Sequence, residues 1–191
     1  MSRLSLKCRC GTVAGYADHI TPKSGNRVVC CCCDCQKFAS FLDQETLTLD
    51  EFGGTDIYQT SQSQVKISQG VDKLRVMRLS ETGLLRWYTD CCKTAVGNMV
   101  SAKMPLVGLI HSFVDDVDFE TKLGPVRAYI QTQHAKGEPN YPHHSAKFPP
   151  GIILRMLRKM LVWKLQGKQN PSVFVGDDGR TITKPIIARP S

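Results

Sequence analysis

The 191-residue sequence lacks the features that define several protein classes. It contains no run of eighteen apolar residues, which argues against a membrane-spanning helix. The first four residues, Met1 to Leu4, show none of the apolar stretch of a signal peptide. Internal repeats and low-complexity tracts are absent, and aromatic residues make up only 7%. Because 41% of the residues are hydrophobic, we expect a globular, soluble, cytoplasmic protein.

Acidic residues are scarce in the C-terminal third. Residues 1–120 contain 13 Lys and Arg against 14 Asp and Glu, a net charge of −1. Residues 121–191 contain 12 against 3, a net charge of +9, which together give the +8 of the whole chain. We therefore predict a domain over residues 1–120 and a basic extension, residues 121–191, packed on it.

Cysteine, in contrast, is abundant, and five of the nine lie in a run of six residues that begins at Cys30. Packing alone does not explain such a run, because adjacent side chains of an extended segment point to opposite faces. Within it, Cys30, Cys32 and Cys35 form a C-x-C-x-x-C pattern, in which a turn can return the third sulfur to the first two. Three converging thiolates leave the fourth position of a zinc ion open, as in reactive zinc sites.

The cysteines outside this run suggest a second site. Cys8 and Cys10 share one face of a predicted strand, and Cys91 and Cys92 follow a later strand. These four sulfurs can form a closed zinc site. Disulfides are the rival interpretation, but the odd number of cysteines and the expected reducing compartment favour metal.

Two cysteines of the run, Cys31 and Cys33, face away from the predicted ligands. They can pack as small hydrophobic residues, form a redox pair, or compete for zinc and change its ligand set.

Short stretches of alternating hydrophobicity predict a mainly β fold with antiparallel strands. The predicted strands are residues 4–10, 27–32, 55–60, 64–68, 74–79, 84–89 and 106–111. A short helix is predicted over residues 36–42, capped by Asp34, with Phe38, Phe41 and Leu42 buried. In the extension we predict a helix over residues 152–165 and a hairpin over residues 173–187.

The order of these motifs resembles a known family. C-x-C-G at Cys8, C-x-C-x-x-C at Cys30, and a late cysteine pair followed by Thr-Ala-Val-Gly are similar to the glutathione-dependent formaldehyde-activating enzymes, also called the centromere-protein-V-like family. The resemblance covers residues 4–115. It implies a zinc-containing β-sheet domain of the Mss4-like, β-tent type, and carbon–sulfur lyase activity that joins formaldehyde to glutathione.

Carried onto this sequence, the resemblance implies two zinc sites. The ligands of the structural zinc would be Cys8, Cys10, Cys91 and Cys92. The ligands of the reactive zinc would be Cys30, Cys32 and Cys35. The family pattern ends in Cys-x-x-Cys-Gly, but Thr89 occupies the first of these positions here. Cys91 would replace it, and Cys92 is the safer ligand. The basic extension lies outside the family pattern.

For the enzymatic interpretation, the resemblance implies a small thiol such as glutathione and a small aldehyde as substrates. Asp34 or His111 would transfer the proton, although Asp34 as a helix cap and His111 as a strand-end residue are the simpler interpretations.

Two other functions remain open. The protein can be a binding protein with purely structural zinc, whose basic helix touches an anionic membrane surface or nucleic acid. The simpler interpretation of that helix is that a stripe of apolar residues (Ile153, Met156, Leu157, Met160 and Leu161) covers the β domain. A thiol redox or metal-handling protein is the third possibility.

Overall fold

The computed structural model describes residues 2–188 and is mainly β, with a long helix towards the C-terminus. Its strands are β1 (Leu4–Lys7), β2 (Ala14–Ala17), β3 (Asn26–Cys30), β4 (Thr55–Ser61), β5 (Val65–Gln69), β6 (Leu74–Arg78), β7 (Leu85–Thr89), β8 (Ala95–Met99), β9 (Leu106–Ile110), β10 (Tyr129–Ile130), β11 (His144–Ser145) and β12 (Ile186–Ile187). Its helices are α1 (Cys33–Phe41), α2 (Glu45–Thr48), α3 (Phe119–Leu123) and α4 (Pro150–Leu165). None of the helices in the described residues is long and apolar enough to cross a membrane.

The strands form two sheets. The small sheet has the order β1-β2-β5, and the large sheet has the order β11-β10-β3-β4-β9-β8-β7-β6-β12. All pairings from β3 to β6 in the large sheet are antiparallel, as predicted. The two-residue strands at its edges pair in parallel.

The large sheet is covered on both faces. Every residue of β3, β7 and β9 is buried, so these strands show no polar face to solvent. On one face, Leu4 of the small sheet and Trp87 of β7 belong to the same core. On the other face, Phe38 of α1 belongs to a second core. The neighbours Leu109 and Ile110 point into different cores, as the two-residue period of a strand requires.

The basic segment is built into both edges of the large sheet. β10 lies parallel to β3 at one end, and β12 lies parallel to β6 at the other. The ring of Phe174 is fully buried, 5.0 Å from the ring of Trp87 between centroids. The unpaired backbone groups of an exposed edge strand can pair with another chain, and β10 and β12 cover the edges of β3 and β6. The division into a domain over residues 1–120 and a basic extension over residues 121–191 stays a prediction.

The predicted hairpin over residues 173–187 is confirmed around its turn only. Val175 and Thr181 form an antiparallel bridge, and the N–H of Ile182 donates to the carbonyl oxygen of Phe174. Ile186–Ile187, in contrast, pairs with β6. The open edge of β6 offers backbone hydrogen-bonding groups to the final strand.

All seven predicted strands are present, but β2 and β8 were missed. Both contain a glycine, which weakens the strand signal. A Cβ on Gly15 would lie 2.0 Å from the carbonyl oxygen of Lys66, and one on Gly97 would lie 2.7 Å from that of Gly108. The close approach of neighbouring backbones requires glycine at these positions.

The first helix begins earlier than predicted. α1 starts at Cys33, and its N-cap is Cys32, whose sulfur accepts a hydrogen bond from the backbone N–H of Cys35. Asp34 therefore lies in the first turn and is not the cap. Phe38 and Leu42 are buried as expected, but Phe41 is 44% exposed.

The long helix is confirmed as α4, but the face that packs on the β domain is not the predicted one. Trp163 is the buried residue of α4, and Ile152 packs against the second core. Three members of the predicted stripe, Ile153, Leu157 and Leu161, are exposed. The helix carries apolar residues on more than one face, so periodicity alone did not identify the inner face.

Candidate metal centres

A cluster of four cysteines joins the end of β1 to the turn after β7. The sulfur atoms of Cys8, Cys10, Cys91 and Cys92 all lie within 4.8 Å of one another. The distances are 3.6 Å from Cys8 to Cys10, 3.8 Å from Cys8 to Cys91 and 3.9 Å from Cys91 to Cys92. One metal ion can be held by four sulfurs this close together. We call this group the four-cysteine cluster.

Two tight turns create the four-cysteine cluster. After β1, the N–H of Gly11 donates to the carbonyl oxygen of Cys8, and Gly11 has a φ of 77°, which favours glycine. The backbone N–H of Val13 then donates to the Cys8 sulfur at 3.2 Å. After β7, Lys93 has a φ of 57° and its N–H donates to the carbonyl oxygen of Thr89. Each turn brings two cysteines to the same point.

Hydroxyl groups surround the Cys92 sulfur. It lies 3.5 Å from the Thr89 oxygen and 3.2 Å from the Thr94 oxygen. Although burial raises the pKa of Cys92, hydrogen bonds with Thr89 and Thr94 lower it overall to about 5. Thr89 is thus a neighbour of the cluster, and Cys91 completes the group of four. In the family that the sequence resembles, the position of Thr89 is a cysteine.

A second cluster lies where β3 meets α1. The sulfurs of Cys30, Cys32 and Cys35 lie within 4.8 Å of one another. Cys30 ends β3, Cys32 caps α1, and Cys35 is in the first turn of the helix. The N-terminus of a helix stabilises negative charge, so this position favours a thiolate. We call this group the three-cysteine cluster.

The three thiols of this cluster differ in their pKa values. Hydrogen bonds from Cys30 and Cys35 hold the pKa of Cys32 far below its usual value, at about 2. The hydrogen bond with Cys32, together with burial, raises the pKa of Cys30 far above its usual value. Without a cation the cluster therefore stabilises one thiolate at Cys32, and a second or third negative charge needs positive charge beside it.

A buried arginine supplies positive charge next to these sulfurs. Arg86 of β7 is only 1% exposed, and its charge lowers the pKa of Cys32. Its guanidinium group lies 3.7 Å from the Asp34 carboxylate and donates to the side-chain oxygen of Asn98 at 3.3 Å. It also lies 5.4 Å from the ring centroid of Phe38. Its Nε has no hydrogen-bond partner among the described residues.

The three-cysteine cluster borders a cavity of about 600 Å³. Cys33 also borders it, and polar groups come from Asp34, Gln59, Arg86, Asn98, Gln131 and His134. Most of the remaining lining is apolar and includes Val28, Ile57, Leu84, Met99, Val100, Leu106, Ile130, Phe148 and Met156. This size and lining are typical of a small-molecule site.

Comparison with protein families identifies the chain. The family model that matches residues 1–184 is described as a family of unknown function, DUF6151. The chain belongs to this family. Among solved structures, a crystal structure of a Rhodobacter sphaeroides protein from Northeast Structural Genomics is 14% identical, with a TM-score of 0.44, and the match covers 64% of this chain and 97% of that one. A comparison with proteins of curated function finds no match.

The remaining cysteines of this DUF6151 chain lie outside both clusters. Cys31 is fully buried, and burial, followed by the charge of Asp50, raises its pKa to about 11. Cys33 is exposed in the first turn of α1. All nine cysteines lie in the described residues, and none forms a disulfide. The burial of Cys31 favours packing for this residue.

The two residues expected to transfer a proton occupy different places in the DUF6151 fold. Asp34 lines the cavity beside the three-cysteine cluster, with its side chain 54% exposed. His111 lines a different cavity, together with Asp56 and Tyr129. Asp34 is therefore the better-placed residue for chemistry at the cysteines.

Sequence reasoning missed Arg86 and Asn98 in this DUF6151 chain. A signal for Arg86 was present, because it stands between Leu85 and Trp87 in a strand whose other residues are mostly apolar or aromatic. A charged residue is almost never fully buried unless it is paired, so its place in that strand pointed to a partner. Asn98 lies opposite Arg86 in the β7–β8 pairing, and β8 was not predicted.

Proposed function

We propose that this protein binds zinc and catalyses carbon–sulfur bond formation between a thiol and a small aldehyde, as a carbon–sulfur lyase. The observation that carries the proposal is the placement of the three-cysteine cluster at the wall of a largely apolar cavity. The four-cysteine cluster, in contrast, contributes no residue to that cavity. Cys8 of that cluster lines only a smaller cavity of about 220 Å³, so the three-cysteine cluster has the larger space for a substrate.

The donor atoms of both clusters suit zinc. A tetrahedral zinc site with sulfur ligands at about 2.3 Å places those sulfurs about 3.8 Å apart. The measured distances of 3.6, 3.8 and 3.9 Å in the four-cysteine cluster agree with that geometry. Thiolate ligands favour zinc and related soft metals over magnesium or calcium. Four ligands close a site, so we assign this cluster a structural role.

The three-cysteine cluster offers one ligand fewer. Three thiolates on a divalent ion carry a formal charge of −1, which the buried Arg86 partly balances. When bound there, zinc would lower the pKa of a substrate thiol at the open position and keep it as a thiolate. The Nε of Arg86 and the N-terminus of α1 stabilise negative charge in the same region.

The residues around the cavity can handle the proton and exclude water during the reaction. In the forward direction, the substrate sulfur forms a bond to the carbonyl carbon, and the carbonyl oxygen takes up the proton that the thiol gives up. Asp34 lies at the cavity wall and can accept that proton and return it. The apolar lining excludes water and favours a substrate with an apolar part. The volume of about 600 Å³ is far larger than formaldehyde alone needs.

The order of the cysteine motifs supports this function by its resemblance to the formaldehyde-activating family. We also propose that the fold is of the Mss4-like type, with the mainly β architecture as support. Glutathione is the first thiol to test, and formaldehyde the first aldehyde.

The first experiment measures zinc per chain in protein purified without added metal. We expect two zinc ions in the wild type and one in Cys32→Ala, with the fold retained by circular dichroism. Cys33→Ala is the matched control, because Cys33 is adjacent, exposed and outside both clusters. One zinc ion in the wild type, unchanged by Cys32→Ala, would overturn the reactive-site assignment.

The second experiment measures activity. Formation of the hydroxymethyl adduct of glutathione from formaldehyde is followed by NMR, and its rate is compared with the uncatalysed rate. We expect wild type to accelerate the reaction and Cys32→Ala to be inactive. Cys33→Ala, which removes a cavity-lining thiol but no cluster ligand, should still accelerate it. Acceleration that survives in Cys32→Ala would contradict the proposed site.

A second candidate function is thiol–disulfide exchange. Cys32 and Cys35 form a C-x-x-C motif at the N-terminus of α1, with their sulfurs within 4.8 Å. A small disulfide would accept two electrons from the two thiols, which release two protons and form a disulfide. Zinc-free protein treated with oxidised glutathione would then lose 2 Da and recover on reduction. Protein that oxidises only after unfolding excludes this candidate.

A further inference from the structure

The outer face of α4 carries apolar residues that the fold leaves in solvent. Leu154 is 59% exposed, Leu157 52%, Leu161 60% and Leu165 79%, whereas Trp163 is only 5% exposed. At 100° per residue, Leu154, Leu161 and Leu165 lie within about 40° of one another, opposite Trp163. Leu157 extends this face to one side. We call these four residues the leucine ridge.

A row of cations borders the leucine ridge. A cleft of about 730 Å³ beside α4 is lined by Lys23, Arg127, Arg155, Arg158 and Lys159, and by no acidic residue. No Asp or Glu occurs between Glu138 and Asp177, a segment that includes the whole of α4.

The positive charge of this basic cleft is not neutralised within the described residues. Lys159 donates to the carbonyl oxygens of Lys23 and Ser24, at 2.7 and 2.9 Å, and Arg127 donates to that of Pro22. Burial lowers the pKa of Lys159, and the charges of Arg155, Arg127 and Lys168 lower it further. A cluster of like charges with only carbonyl partners is stabilised by an anionic ligand.

We propose that α4 docks on an anionic membrane surface, with the leucine ridge inserted at the boundary between headgroups and acyl chains and with lipid phosphates in the basic cleft. A helix with exposed leucines and flanking Lys and Arg is typical of segments that lie in the membrane interface. Sixteen residues span about 24 Å, which suits a helix that lies flat on a bilayer and is too short to cross it.

Charge and composition favour lipid over the other occupants. A second copy of the chain, packed ridge to ridge about a twofold axis, would bring two sets of the same cations together. Nucleic acid would bind the cations but would leave the leucine ridge in water, and base-stacking aromatic residues are not part of the cleft apart from Trp163. A membrane surface offers negative charge and an apolar layer side by side.

Docking would also orient the rest of the molecule. Met156, on the opposite side of α4 from Leu154, lines the cavity beside the three-cysteine cluster. The cavity would therefore lie behind α4, about one helix diameter from the membrane surface. The docking proposal itself does not depend on the chemistry of that cavity.

The test is co-sedimentation of the full chain with vesicles. Vesicles of phosphatidylcholine with phosphatidylserine are compared with vesicles of phosphatidylcholine alone, at low and high salt. We expect binding to the anionic vesicles, and a loss of about tenfold or more in affinity when Leu157 and Leu161 are both changed to Gln. Arg158→Glu should also weaken binding, and more at low salt than at high salt.

Two controls keep the test specific. Val117→Gln changes an apolar residue that is 99% exposed outside α4, and should bind like wild type. Circular dichroism and zinc content show that each variant is folded. Equal binding by wild type and by the double Gln variant would overturn the proposal. So would a wild-type dimer that ignores vesicles and dissociates in the double variant, or binding to duplex DNA in place of vesicles.

Discussion

The two cysteine clusters use the same donor atom in opposite surroundings. In the four-cysteine cluster, Cys10 and Cys91 are exposed, and the sulfurs are gathered by two surface turns. In the three-cysteine cluster, Cys30 and Cys35 are buried at the junction of a strand and a helix, against a cavity. Neighbouring residues, and not only the cysteine motif, therefore distinguish a cluster at the surface from one buried against a large cavity.

The polar neighbours of the two clusters also differ. Threonine hydroxyls surround Cys92, whereas the buried charge of Arg86 acts on Cys32. Hydroxyl groups hydrogen-bond a sulfur locally, while a guanidinium group stabilises negative charge on any ligand within its reach. The predictions below test this division.

The largest effect is expected from Cys92→Ser. Loss of the proposed structural zinc would release the end of β1 from the turn after β7, because the four-cysteine cluster joins them. We expect unfolding to become easier by more than about 3 kcal/mol, measured by chemical denaturation. Cys32→Ser, in the other cluster, should change stability much less, and equal destabilisation by the two variants would contradict the assignment of separate roles.

The next effect is expected from Arg86→Met. Removing the positive charge would raise the pKa of Cys32, so in zinc-free protein a given rate of alkylation by iodoacetamide would require higher pH. We also expect the thiol–aldehyde reaction to slow by about tenfold or more. Arg86→Lys, which keeps the charge, should recover part of both effects. An unchanged alkylation profile in Arg86→Met would show that this arginine only fills space.

A smaller effect is expected from Thr94→Val. The variant removes a hydroxyl 3.2 Å from the Cys92 sulfur and so raises the pKa of Cys92. Zinc should then be lost from the four-cysteine cluster at higher pH, with an affinity lower by about tenfold. Competition with a chelator measures this affinity. Zinc at the three-cysteine cluster should be unaffected, which provides the internal control.

The smallest effect is expected from Asp116→Asn. Although burial opposes it, a hydrogen bond from Lys122 and one from the backbone N–H of Ser5 in β1 hold the pKa of Asp116 below its usual value. This carboxylate therefore stabilises the fold above pH 4 or so, and the stabilisation is lost as the pH falls through its lowered pKa. We expect a loss of about 1 kcal/mol at pH 7 and almost none in acid.

Denaturation of wild type and Asp116→Asn at several pH values measures this difference. A difference in stability that does not shrink in acid would show that the carboxylate charge is not responsible.

Much of the fold follows from local patterns in the sequence. Strands β1, β3 to β7 and β9 were predicted, as was α4, because short hydrophobic strand patterns and the 3.6-residue helix period are present in the sequence itself. The glycine-containing β2 and β8 were not predicted, since their evidence is the backbone of a neighbouring strand. The hairpin is confirmed only around its turn, since β12 pairs with a strand about 110 residues away in sequence, and pairing at such separations has no local signal.

The sequence by itself grouped the neighbouring cysteines, because C-x-C and C-x-x-C spacings restrict how sulfurs can converge. That Cys8 and Cys10 meet Cys91 and Cys92 was predicted, and the structure brings these four together. The tertiary structure alone decided that Cys32 caps α1, that Arg86 and the larger cavity lie beside the three-cysteine cluster, and that the leucine ridge of α4 faces outward. The physical reason is distance along the chain. Spacing within a few residues is set by backbone geometry, whereas burial and charge at a site depend on segments that only folding brings together.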